Sequence, residues 1–269
     1  MTAAISYAYA VARDDGTLHQ ALAGLAGVCG APVRLVCSQE CEGLAIAVSP
    51  VPESEFAEGA LRTRLEDLDW LESTARAHHR VVEALAERTT VLPLRLVTLY
   101  RDDGRVRSVI EERCDAFGSR LDALASRAEW GVKVFVDEPA PPGPKEPSAA
   151  DDLGPGRAYL SRRRAQRNAR EDVYRDAGRV AERIESAARP YSVGHVRHRA
   201  QQGALAPGTG QNIINDAYLV PMRDADAFRA HVASAADGFE GVRVEITGPW
   251  APYSFAAPDM PQDGEGVAR

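Results

Sequence analysis

The chain has 269 residues, 45% hydrophobic and 26% charged, with a net charge of −7 and a pI near 5.5. This length exceeds the usual domain mode of about 100–150 residues and points to two domains. The acidic balance argues against a dedicated nucleic-acid or anionic-membrane binder, and no apolar run reaches the roughly 18 residues a membrane span needs.

No basic region followed by an apolar stretch opens the chain, so no signal peptide is expected. Cys29, Cys37, Cys41 and Cys114 contain no C-x-x-C, which argues against zinc. Without a secretory signal they read as free thiols in a reducing cytoplasm.

Ile5 to Ala12 alternates large and small groups and predicts a strand. Asp14-Asp15-Gly16 is a turn signal. Leu18, Leu22 and Leu25 have helical spacing, ended by Gly27 and Gly30. Val33, Leu35 and Cys37 alternate as a second strand, and Leu44 to Val48 forms a third. Leu61, Leu65, Leu68, Leu71, Ala75, His78, Val82 and Leu85 then mark the clearest helical seam. Asp69 with Glu72 suggests a capping box, so two helices meet there. Thr89 to Thr98 reads as a strand that Pro93 confines to an edge or a strand start. The order is β-α-β-β-α-β, that of a ferredoxin-like unit.

Val106, Val109, Ile110, Cys114, Phe117, Leu121 and Leu124 predict one helix across about 105–127. Trp130, Val132, Val134 and Val136 alternate as a strand. Residues 137–156 are Pro-rich without an apolar period and read as a flexible loop. A long helix follows from Arg157 to about Ala188, then a strand over Ser192 to His198 and a Gly/Pro loop over Gly203 to Gly210. A strand with Ile213 to Val220, a helix with Phe228 and Val232, and a strand over Val242 to Ile246 complete a second β-α-β-β-α-β set. The expectation is an α+β protein of two ferredoxin-like units joined by a helix. The boundaries are an N-terminal domain 1–100, a connecting helix 101–128, a C-terminal domain 129–257 with the loop 137–156 inserted, and a disordered tail 258–269.

No G-x-S-x-G, P-loop or G-x-G-x-x-G occurs, so no catalytic, cofactor or metal residues are assigned. His78 falls on the apolar seam and reads as a packed or interface histidine. Its neighbour His79 points about 100° away. His195 and His198 would share a face on a helix but lie on opposite faces of a strand. Arg157, Arg162, Arg163, Arg164, Arg167 and Arg170 form the basic cluster. RNA, phosphate or an acidic protein surface would suit it, against a solvated helix face with Glu171, Asp172 and Asp176 as partners. Nucleic acid is disfavoured, since the third strand lacks the stacking aromatics of an RRM.

The carrying segments of a resemblance lie in order along residues 4–256. They are Tyr7-Ala8-Tyr9, Leu68-Asp69-Trp70-Leu71 with His78, and Val91-Leu92-Pro93-Leu94-Arg95 with Thr98. Next come Glu129-Trp130-Gly131-Val132-Lys133, Gly156-Arg157-Ala158-Tyr159-Leu160 and Asn215-Asp216-Ala217-Tyr218-Leu219-Val220. Gly248-Pro249-Trp250-Ala251-Pro252-Tyr253-Ser254-Phe255 closes the set. Together they resemble the gas vesicle protein F/L family (GvpF/GvpL). The chain departs from the family at Leu96-Val97, where Phe-Gly is usual, and at Ala251, where a second Pro is usual.

The resemblance implies a cytoplasmic accessory protein of gas vesicle formation, not an enzyme and without a cofactor. Its implied partners are the small hydrophobic structural protein (GvpA) and other gas vesicle accessory proteins. Structural or interaction candidates are Trp70, His78, Pro93, Arg95, Tyr159, Tyr218, Pro249, Trp250, Pro252, Tyr253 and Phe255. The two prolines of the closing motif are expected to end the last strand, with Trp250, Tyr253 and Phe255 closing a hydrophobic face of the chain itself. The alternative is a ferredoxin-like small-molecule-binding domain or enzyme with a pocket near His78 and Arg95, the 195–198 histidines supplying further polar groups.

Overall fold

The computed structural model describes residues 4–137, 155–200 and 210–256, with the side chains of 155–162 outside that description. The Pro-rich loop (but for Asp137 and the first residues of the following helix), most of the Gly/Pro loop and the tail lie outside the described residues. The chain divides into two units, Met1–Glu129 with the segment from Pro249 onward, and Trp130–Gly248.

The first unit opens with β1 (Ala4–Arg13), α1 (Leu18–Leu22), β2 (Arg34–Cys37) and β3 (Leu44–Pro52). Helices α2 (Glu53–Phe56), α3 (Glu58–Arg64) and α4 (Leu68–Ala86) lead to β4 (Val91–Tyr100). The strands form an antiparallel sheet in the order β2-β3-β1-β4, the ferredoxin-like arrangement. α4 starts where the Asp67 carboxylate accepts the backbone N–H groups of Asp69 and Trp70, at 3.1 and 3.2 Å. The cap is therefore Asp67 and not Asp69. The break at this cap also splits the expected seam. Thr74, Ala77, His78, Val81, Val82 and Leu85 are buried, whereas Leu65 and Leu68 are 44% and 64% exposed.

The sheet is buried on both faces. Tyr7, Tyr9, Ala10, Ala12, Ala47 and Val51 pack with α4. The alternate residues Ala8, Val11, Ile46 and Val48 are equally buried. They are covered by α5 (Asp103–Glu112) and α6 (Cys114–Leu124), which lie against all four strands. Ser6 Oγ donates to Asp103 at 2.7 Å, and Arg34 meets the same carboxylate at 2.6 Å, tying α5 to the sheet. The single connecting helix expected over 101–128 is thus two helices. The backbone breaks at Arg113 (φ −125°), and both helices bury Val106, Ile110, Leu121 and Leu124 within the first unit.

Cys41 and Cys114 are joined as a disulfide, with Cα atoms 5.9 Å apart. They are 73 positions apart in sequence, so spacing gave no sign of the pair. Only Cys29 and Cys37 meet the free-thiol expectation.

The second unit runs from β5 (Arg127–Val136) through α7 (Pro155–Ala188), β6 (Gly194–His198), β7 (Gln211–Pro221) and α8 (Ala225–Ala233) to β8 (Val242–Trp250). Its sheet order, β6-β7-β5-β8, repeats that of the first. Trp130, Val132, Val134 and Val136 meet Ala177, Val180, Ile184 and Phe228 in one core. Pro93 and Pro249 both lie on sheet-edge strands, where a missing N–H breaks no interior ladder. The expectation that Pro249 ends the last strand is corrected: β8 continues to Trp250.

Candidate functional site: a buried histidine beside the C-terminal aromatic segment

The site lies in the first unit, where α4, β1, β4 and the closing motif meet. Tyr9 has no register partner in either ladder: Ala8 and Ala10 pair with Val48 and Ala47 on β3, and with Thr98 and Pro93 on β4. Residues 94–97 of β4 therefore loop out opposite one bulged residue. Strand alternation puts Tyr7 and Tyr9 on the same face, toward α4, with ring centroids 5.0 Å apart, and the bulge brings Ala10 to that face as well.

Both tyrosine hydroxyls serve the backbone. Tyr9 Oη accepts the Val28 N–H at 2.8 Å and bonds Ser49 Oγ at 2.6 Å. Gly27 makes room for it, since a Cβ there would come within 2.2 Å of that oxygen. Tyr7 Oη accepts the Val97 N–H at 3.0 Å and lies 3.1 Å from His78 Nδ1. With its lone pair engaged by Val97, the hydroxyl donates to Nδ1, which assigns the histidine proton to Nε2. No group meets Nε2 in good hydrogen-bond geometry among the described residues, although the Leu94 backbone lies close enough to act on the ring. Burial lowers the His78 pKa to about 4, the Leu94 backbone opposing the shift and His79 adding to it. His78 is thus a neutral structural imidazole at ordinary pH. Burial likewise pushes the Tyr7 hydroxyl pKa up.

The closing motif folds onto this cluster. α9 (Tyr253–Ala256) packs beside β4. The Tyr253 ring lies 6.4 Å from His78 and 6.2 Å from His79, and Trp250 lies 5.5 Å from His79. His79 also meets Glu83 at 3.0 Å. Ser254 donates its N–H and its hydroxyl to the two oxygens of Glu129, both at 2.7 Å. Arg120 donates to the Phe255 carbonyl. Ala251, Pro252 and Phe255 are buried, whereas Trp250 and Tyr253 remain 38% and 37% exposed. The motif therefore divides: Phe255 closes a face, as expected, and Trp250 and Tyr253 each show about a third of their surface to solvent.

The remaining candidates disperse. Trp70 is half-buried against Phe56 at 5.7 Å, with Arg64 over its ring. Pro93 is buried, Arg95 is exposed on the bulge, and Pro249 is exposed. The Tyr159 side chain lies outside the described residues. Tyr218 belongs to the second unit, where it stacks on His195 at 4.6 Å. Strand geometry separates His195 from His198, whose register partners are Tyr218 and Asn215. His195 Nε2 instead meets the buried Asp216 carboxylate at 2.9 Å, and Arg197 meets it at 3.1 Å. The alternative of a pocket near His78 and Arg95 is not supported, because one is packed in the core and the other points to solvent. A groove of about 330 Å³ in the first unit is lined by other residues, among them His19, Leu22, Leu25 and Val33. Glu129 and Asp216, which anchor the two sites, lay inside quoted motifs but had no sequence signal for burial or pairing.

Two ferredoxin-like units, the first completed by a segment returning from the chain's far end, define an α+β protein class without a gathered catalytic constellation among the described residues. The chain matches the family model "Gas vesicle synthesis protein GvpL/GvpF" over residues 5–257, and it belongs to that family. It is 41% identical to gas vesicle protein L of Streptomyces sp. (strain CB03234) over 254 residues, 94% of this chain and 92% of the relative. Gas vesicle protein F of the same strain is 28% identical over 257 residues, 93% of this chain and 98% of that protein. The fold is that of the crystal structure of GvpF from Anabaena sp. PCC7120 (TM-score 0.63, 18% identity, 96% and 98% of the two chains). GvpF from Microcystis aeruginosa is similar (TM-score 0.59, 17% identity, 94% and 99%).

Proposed function

We propose that this protein is an accessory factor of gas vesicle formation that binds the small hydrophobic gas vesicle structural protein and assists nucleation or assembly of its shell. It acts in the cytoplasm, alongside other gas vesicle accessory proteins. The observation that carries the reading is family membership across nearly the whole chain. The half-exposed Trp250 and Tyr253 support a contact role for the closing motif. A shell subunit exposes apolar surface before it polymerises, and such surface aggregates unless covered. Aromatic groups held on a rigid, acidic protein suit that task, because they offer large contact area at low entropic cost. The higher identity to protein L than to protein F of one strain supports an L-type assignment.

Co-expression with the structural protein followed by affinity capture tests the proposal. Co-purification that weakens when Trp250 and Tyr253 are both changed to Ala supports it. Absence of association with any gas vesicle protein, with vesicles forming normally in its absence, overturns it.

A further inference from the structure

The N-terminal half of α7 is unlike any other helix of the chain. The helix spans Pro155–Ala188, yet residues 163–172 are exposed on every side, and among its described side chains the first buried one is that of Ala177. Between Pro155 and Arg170 the sequence has six arginines and no acidic residue, in a chain of net charge −7. Like-charge repulsion and a lack of packing both act against this arm as it stands. Arg163 and Arg167 are four apart, and Arg167 and Arg170 three apart, so like charges face one another along the helix. No tertiary packing offsets this repulsion over residues 163–172, and packing is what usually stabilises a helix in a protein. Part of the repulsion is relieved locally, by Arg167 with Glu171 at 3.4 Å and by Arg170 over the Tyr174 ring at 5.7 Å. Among the described residues, Arg163 and Arg164 have no ion-pair partner.

We propose that the arm of α7 around Arg163, Arg164 and Arg167 is a docking surface for an acidic polypeptide segment of a partner protein. One anionic partner relieves the like-charge repulsion along the whole arm. Guanidinium groups pair carboxylates through two parallel hydrogen bonds, a geometry that a helix face can repeat turn after turn. A short acidic segment suits this chain better than nucleic acid does, because the rest of the molecule is acidic and its field repels an extended polyanion. The contact is weak and salt-sensitive, as expected for exposed ion pairs. It is independent of the closing motif and of the binding of the structural protein.

The test uses the full chain and fluorescence anisotropy at about 150 mM salt, where charges more than about 8 Å apart are screened. The probes are a labelled Glu-rich peptide of about 20 residues and a single-stranded oligonucleotide of matched charge, with the charge-reversal variant Arg163→Glu/Arg164→Glu/Arg167→Glu as the comparison. The peptide is expected to bind, to raise helical circular dichroism, and to lose at least about tenfold in affinity to the variant, which corresponds to the removal of a few charge-assisted pairs. Should the reversed variant misfold, the corresponding Gln variant carries the comparison. Equal affinity for peptide in variant and parent, or no binding, overturns the proposal. So does tighter binding of the oligonucleotide. Sedimentation of the parent alone as an oligomer that the variant disperses also overturns it, since the occupant is then a second copy of the chain.

Discussion

Tyr7 Oη sits 3.1 Å from His78 Nδ1 while accepting the Val97 N–H at 3.0 Å. One buried hydroxyl thus links the first strand, the main helix and the bulge of the edge strand. It fixes the histidine's tautomer and holds the bulge in place, while burial keeps the ring neutral.

Stability should therefore depend on pH through His78. Its pKa is lowered from 6.5 to about 4, burial being the main cause. Between these values the unfolded chain binds the proton and the folded chain does not, so stability falls as pH drops from 6.5 to 4 and this contribution is flat below that. The full loss is about 3 kcal/mol at 1.36 kcal/mol per unit. Urea unfolding at several pH values, with His78→Phe as the reference, checks it. The parent's stability relative to the variant should rise by about 3 kcal/mol as pH rises through this window and level off above about 6.5.

Val97 has φ 63°, a left-handed conformation that a β-branched residue adopts only under strain. The resemblance noted in the sequence places Gly at this position, and this chain carries Val. Strain of this kind costs about 1–3 kcal/mol, against about 0.5–1 kcal/mol for the entropy of a glycine. Val97→Gly keeps the N–H that Tyr7 accepts and should raise stability by about 1 kcal/mol. Thermal and chemical unfolding measure it, and a loss of stability would contradict the assignment.

In the second unit, Asp216 is 2% exposed and accepts from both His195 and Arg197. Asp216→Asn keeps the shape but removes the charge, leaving one guanidinium poorly paired. Because Arg197 is largely exposed, the expected loss is moderate, about 1–3 kcal/mol. Hydrogen exchange should show faster opening of β6 and β7 with little change in the first unit.

The closing motif divides its roles, and two alanine substitutions separate them. Phe255 is 7% exposed, so Phe255→Ala should cost about 3 kcal/mol, the lower end of the range for buried aromatics. Trp250, at 38% exposed, should cost about 1 kcal/mol or less. Equal losses in unfolding experiments would show that both residues serve packing alone.

Much of the fold was legible because hydrophobic period and chain punctuation agree. The alternation at Ile5 to Ala12 and Trp130 to Val136, and the edge role of Pro93, follow from local chemistry. What escaped depends on long-range placement. The helix break at Arg113 interrupts an apolar period that runs on through it. The Asp67 cap lay two residues before the acidic pair that looked like a capping box. Pairing of Cys41 with Cys114, and of Ser254 with Glu129, spans separations that no local pattern encodes. The histidine's packed state was readable from its place on the seam. The tyrosine that fixes its tautomer was not, because that contact joins positions 71 apart in the chain.

The central claim is that the closing motif both completes the first unit and presents Trp250 and Tyr253 to the gas vesicle structural protein. The most direct measurement is affinity capture of that protein by the parent and by Trp250→Ala/Tyr253→Ala, with circular dichroism and unfolding on the same samples. The account predicts a variant that stays folded and captures much less structural protein. A folded variant that captures it as well as the parent would contradict the claim.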